Sequence, residues 1–176
     1  MHTYLASATK ELRHSKILID KTVDALEEAQ LHWVPAVGSN SITMIMRHIT
    51  ANIQSRFTDF LTSDGEKSWR NRDAEFEEVV LAKAQLLIEW EQAWAVLFAT
   101  LEALTVDDLE RTVYIRAEGH SVIQAINRQV AHYASHMGQV VFIGKLLKGA
   151  DWQSLSIPKG QSKAFNAAML DKHSAR

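Results

Sequence analysis

Four stretches of this chain repeat apolar residues every three or four positions and hold almost no proline or glycine. That spacing lines one side of an α-helix, so each stretch carries an apolar stripe that it must bury against a neighbour. The first runs from about Ser7 to Gln30, with Leu12, Ile19, Val23 and Leu26 on the stripe, and Trp33, Pro35 and Gly38 break it. The second follows the capping residues Asn40 and Ser41 and sets Ile42, Ile45, Ile49, Ile53 and Phe60 on one broad face. The third covers about Leu81 to Leu104, with Ala84, Leu87, Trp94, Leu97, Phe98 and Leu101 expected inward. The fourth begins after an N-cap at Ser121 and continues to Leu147, where Gly149 stops it. Four such helices without an internal repeat predict an all-α fold, a four-helix bundle.

A chain of 176 residues fits one domain. We expect a single unit over 1–176, with the bundle at about 7–148, a connecting loop at 62–80 and a tail at 150–176. Asp64 and Gly65 signal a turn in that loop, and Trp69 and Phe76 are candidates to pin it. Val113, Ile115 and Gly119 suggest a short extended piece too brief to separate from loop. The tail holds Pro158 and Gly160, and is expected to lie along the bundle with a short helix around Phe165 to Leu170.

Nineteen basic against twenty-one acidic residues leave a formal charge of -2, without the basic stripe that nucleic acid requires. No apolar run approaches the roughly 20 residues of a membrane span, and no signal segment opens the chain, so a soluble, cytoplasmic protein is expected. The chain has no cysteine, so any metal must be held by nitrogen and oxygen, and any thiol must come from outside. Phosphate-loop, dinucleotide and serine-hydrolase patterns are missing: AEGHS and KGQSK lack the required glycines and context.

In RQVAHYASHMGQV, His132 and His136 stand four residues apart, about 40° from each other around the helix, at the border of the apolar face. Their Cβ atoms are then about 5–6 Å apart, close enough for one ion. No Glu follows the first histidine, so this is not the H-E-x-x-H protease pattern. His48 occupies matching surroundings on the second helix, with Asn52 one turn on. If the two helices are neighbours, three imidazoles meet and leave a coordination position open. The residues alone leave two readings: packed, hydrogen-bonded core histidines, or a metal site. His2 and His173 near the ends and His14 on the first helix carry no such pattern, whereas His32 and His120 can approach the mouth of a site.

The segments NSITMIMRHITANIQSRF, RNRDAEF and LSIPKGQSKAFN, together with the histidine pair, resemble the DinB-like (YfiT-like) metal-dependent family, in an uncharacterised branch of it. The resemblance extends over nearly the whole chain. It implies a four-helix bundle with a long crossover connection, a homodimer, and a divalent ion, nickel or zinc, on His48, His132 and His136. It also implies a transferase or isomerase chemistry that uses a low-molecular-weight thiol as co-substrate.

Around such a centre Asn52 and Gln139 are candidates to hydrogen-bond a ligand or the substrate, and Arg56 to meet a carboxylate; ordinary helix solvation is the alternative. Trp33, Trp69 and Tyr133 are candidates for the mouth of a pocket, Trp33 and Tyr133 among them for binding a cofactor, with plain core packing as the alternative. Arg70, Arg72, Asp73 and Glu75 read as a solvated turn with local ion pairs, which the resemblance raises to a loop-ordering or dimer-contact segment. The partner expected is a small-molecule substrate, with no nucleic acid and no membrane. Three functions remain: a thiol-dependent transferase, a hydrolase using bound water, and a non-catalytic bundle fastened by metal.

Overall fold

The computed structural model describes residues 3–174. His2 lies outside the described residues, as does the side chain of His173. Four long helices form the body: α1 (Thr3–Asp24), α3 (Ile42–Phe57), α4 (Lys83–Ala103) and α5 (Val122–Lys148). Smaller elements are α2 (Glu28–Leu31), the strands β1 (Thr112–Ile115) and β2 (Glu118–Ser121), and α6 (Ser162–Ser174). Among the described residues, no helix is long and apolar enough to cross a membrane.

The helix boundaries follow capping chemistry. The Ser41 side chain accepts from Met44 N at the start of α3, and Ser121 accepts from Gln124 N at the start of α5. Gly149 ends α5 at φ 52°, a left-handed conformation that glycine adopts without a Cβ clash. The first helix stops sooner than its periodicity predicts. Lys83 Nζ on α4 donates to the Val23 and Leu26 carbonyls at 2.8 and 2.7 Å, and Glu27 caps a new turn, α2. That competition comes from a residue far along the chain.

α1 packs along α5 and α3 along α4, while α3 meets α5 and α1 meets α4. α1 and α3 are therefore diagonal, as are α4 and α5, and the chain crosses the bundle between α4 and α5. The expected stripes of α1 and α3 are all buried, from Leu12 and Ile19 to Ile49 and Ile53. On α4 the expectation needs correction: Ala84 is exposed and Phe98 only half-buried, while Leu86, Trp90 and Ala93 face the core. This helix is apolar around much of its circumference, so periodicity could not choose the face; Trp90 is held inward by donating from Nε1 to Asp20 at 2.8 Å.

The extended piece is a two-stranded antiparallel hairpin, with Thr112 opposite Ser121 and Ile115 opposite Glu118. Its turn residues Arg116 and Ala117 have φ 57° and 62°, which non-glycine residues rarely adopt. The Asp64 carboxylate accepts from both of their amides, at 2.9 and 2.7 Å, and so ties the long loop to the hairpin.

Phe76 packs on His48 with ring centroids 4.9 Å apart, but Trp69 is exposed and pins nothing. The tail is helical over a longer span than expected and does not lie buried on the bundle: side chains 156–172 are all exposed. Its beginning packs through Trp152 against Gly144. α6 presents Phe165, Met169 and Leu170 to solvent.

Candidate metal centre

Three side chains from two helices converge where α3 meets α5. His48 comes from the middle of α3, and His132 and His136 share one side of α5, one turn apart. His132 Nε2 stands 3.2 Å from His48 Nε2 and 3.1 Å from His136 Nε2. One nitrogen from each ring lies within 4.8 Å of the others. Three nitrogens on one tetrahedral ion, each about 2.0–2.1 Å from it, are roughly 3.3–3.4 Å apart, so the cluster is close to a coordinating arrangement.

The partners of the opposite ring atoms decide which nitrogens offer lone pairs. Glu75 is ionised and can only accept, so the 2.8 Å contact with His48 puts the proton on Nδ1 and leaves Nε2 bare. The Gln139 side-chain oxygen, 3.0 Å from His136 Nδ1, does the same for that ring. The Nε2 of His132 thus faces two lone pairs. It can donate a proton to one of them at most, and the second pair stays repulsive. A cation at the centre satisfies all three, so the residues fit a divalent metal.

Electrostatics favour the neutral form of the two rings on α5. Burial lowers the His132 pKa from 6.5 to about 3, helped by the positive potential of His136, His48, Arg128 and Arg70. Burial also holds His136 below its ordinary value, against the opposing hydrogen bond to Gln139. Burial pushes the Glu75 carboxyl up, but hydrogen bonds from His48 and Arg70 outweigh it and keep the group below the usual carboxylate range.

Glu75 is the residue that sequence reasoning missed. It read as part of a solvated turn, yet it is 5% exposed. Arg70 grips it with both prongs of the guanidinium, Nε to Oε1 at 2.7 Å and Nη2 to Oε2 at 2.9 Å. Arg47 holds the same turn by donating to the Ala74 and Glu77 carbonyls, each at 2.9 Å. The signal was present in RNRDAEF, where an Arg and a Glu five residues apart flank a turn ending in Phe76, but its distance from His48 in sequence hid the connection.

The other anticipated residues take different positions. Asn52 is buried and accepts from the Tyr133 hydroxyl at 3.0 Å. Tyr133 does not shape a pocket mouth: it is fully buried, edge-on to Trp94, and burial drives its phenol pKa strongly upward so that it remains a donor. Arg56 is buried against the Gly65 carbonyl and Glu66. Trp33 is 40% exposed, and it does not line the cavity beside the histidines. His32 donates from Nε2 to the Leu81 carbonyl, and His120 faces Glu118; neither joins the cluster.

That cavity measures about 340 Å³ and has His48 and His132 in its wall. The buried Asn52 and Gln129 also line it, with five arginines, Arg56, Arg70, Arg72, Arg116 and Arg128. The arrangement allows a small molecule to reach the open side of the histidine cluster.

A four-helix bundle with a three-histidine cluster fit for a divalent ion, open on one side, defines a metal-associated protein of the DinB-like type. The chain belongs to the family described as protein of unknown function (DUF1572), whose model matches residues 1–161. That family is an uncharacterised DinB/YfiT-like branch. No curated protein matches the chain.

Proposed function

We propose that this protein is a divalent-metal-dependent enzyme, a transferase that joins a low-molecular-weight thiol to a small electrophilic substrate. His48, His132 and His136 hold the ion, nickel or zinc, both of which suit imidazole donors. The observation that carries the reading is the convergence of three Nε2 atoms beside a cavity of about 340 Å³. A closed, purely structural site would have no need of that opening. When bound, the ion supplies a Lewis acid that brings the pKa of a thiol or a water molecule toward neutrality.

The chain's own groups supply the rest. Glu75 orients the His48 ring and makes its Nε2 more basic, and Gln139 orients His136. Phe76 covers one face of His48 and keeps water from that side. Asn52, itself positioned by Tyr133, presents its amide to the cavity as a polar contact for substrate. With no cysteine in the chain, the thiol is a co-substrate.

Elemental analysis of the purified protein beside His132→Ala tests the centre: near-stoichiometric nickel or zinc is expected in the wild type and little in the variant, and equal contents would remove the site. Turnover of small electrophiles, esters and amides with and without added thiol tests the reaction. A strict thiol requirement supports transfer, whereas equal rates without thiol would move the reading to hydrolysis by bound water.

A further inference from the structure

The cavity beside the histidines contains more positive charge than it neutralises. Of its five guanidinium groups, Arg70 is paired with Glu75, and Arg56 and Arg116 share Glu66 at 3.2 and 3.0 Å. Among the described residues neither Arg72, which lies over the ring of Phe76, nor the exposed Arg128 on α5 has a carboxylate paired to it. Five cations thus line the cavity, and two carboxylates, Glu66 and Glu75, pair with three of them. The excess is felt internally: burial lowers the Arg56 pKa, and Arg70 and Arg116 lower it further against the opposing pull of Glu66.

Hydrogen-bonding capacity is left over as well, deep in the wall. Arg56 Nε, Arg70 Nη1 and Gln129 Oε1 are buried and have no hydrogen-bond partner among the described residues. Arg56 and Gln129 are 5% and 3% exposed, and the Arg70 side chain 1%. An unmade hydrogen bond at a buried charged group is costly, and two such donors on residues that line one cavity point to an acceptor that comes from outside.

We infer that this cavity is an oxyanion-binding subsite, so that the molecule handled at the metal centre carries a carboxylate or phosphate group. Arg56 and Arg70 donate to its oxygens from below, and Arg72 and Arg128 close over it from the rim. Gln129 Oε1 accepts one N–H or O–H from the same molecule. The volume of about 340 Å³ is that of a small-molecule site. The assignment of this anion to the substrate rests on the proposed enzymatic reading; the subsite itself does not.

Titration calorimetry with inorganic phosphate and, separately, acetate tests it, on metal-loaded and chelator-treated protein. The variants are Arg128→Gln and the double variant Arg72→Gln/Arg128→Gln, both at exposed positions where folding is not at stake. Saturable binding of either probe to the wild type, weakened about tenfold or more in the double variant at unchanged metal content, is the expected result. A preference between phosphate and acetate then says which group the substrate bears. No binding by the wild type, or binding equal in wild type and double variant, overturns the subsite. Binding that survives in chelator-treated wild type but not in the variants supports it even if the protein proves to hold no metal, so failure of the metal reading is seen separately.

Discussion

Glu75 reaches the candidate metal centre through one imidazole, and its charge determines how strongly that imidazole can bind. Exchanging it for glutamine keeps an acceptor for His48 Nδ1–H but removes the negative charge and half of the grip on Arg70. Glu75→Gln is therefore expected to retain its fold by circular dichroism and to lose roughly 10–100-fold in metal affinity by chelator competition. His132 determines a pH dependence. Its folded-state pKa is about 3 against an ordinary 6.5. The folded value lies below the unfolded one, so in that window the unfolded chain binds the extra proton, and stability is lost as the pH falls. Urea melts of metal-free protein should show declining stability from about pH 7 to about pH 5, with a shallower slope in His132→Gln. An identical slope in the variant would mean that His132 is not the group responsible.

Within α5, two glycines separate packing from propensity. Gly138 is exposed with nothing within 4 Å of the position of an added Cβ, whereas a Cβ on Gly144 would lie 2.4 Å from Thr22 Cγ2 and 3.2 Å from Trp152. Gly138→Ala should stabilise the protein by up to about 1 kcal/mol, the propensity gain alone. Gly144→Ala brings the same gain, yet forces α1 away from α5, and overpacking of this kind typically destabilises by about 1–3 kcal/mol. Thermal melts of the two variants should move in opposite directions. The same substitution in one helix thus distinguishes a surface position from a close approach between helices, which local sequence does not show. The hairpin tells a similar story. Arg116 and Ala117 adopt left-handed backbone conformations without glycine, and Asp64, more than fifty residues earlier in the chain, satisfies their amides.

Across the whole molecule, an ion on the three histidines would connect α3 to α5, and through Glu75 it would also fasten the long loop. Because binding to the folded state alone stabilises by mass action, metal at one hundred times its dissociation constant adds about 2.7 kcal/mol. Scanning calorimetry should show a lower melting temperature after chelation in the wild type and no change in His132→Ala. Equal melting temperatures in wild type with and without chelator would separate the ion from the fold.

Much of this molecule was readable from its residues. Helical periodicity and the caps at Ser41, Ser121 and Gly149 determined four helices and most of the core, because these features act over a few residues and owe little to distant partners. The spacing of His132 and His136 likewise placed two rings on one face by helix geometry alone. The tertiary structure decided what depends on contacts across the chain: the early end of α1 at Lys83, the buried face of α4, the interior position of Tyr133 and the role of Glu75. It also decided that five arginines scattered from Arg56 to Arg128 share one cavity with the histidines. Charges so far apart in sequence interact only after folding brings them within a few ångströms in a medium that screens them poorly.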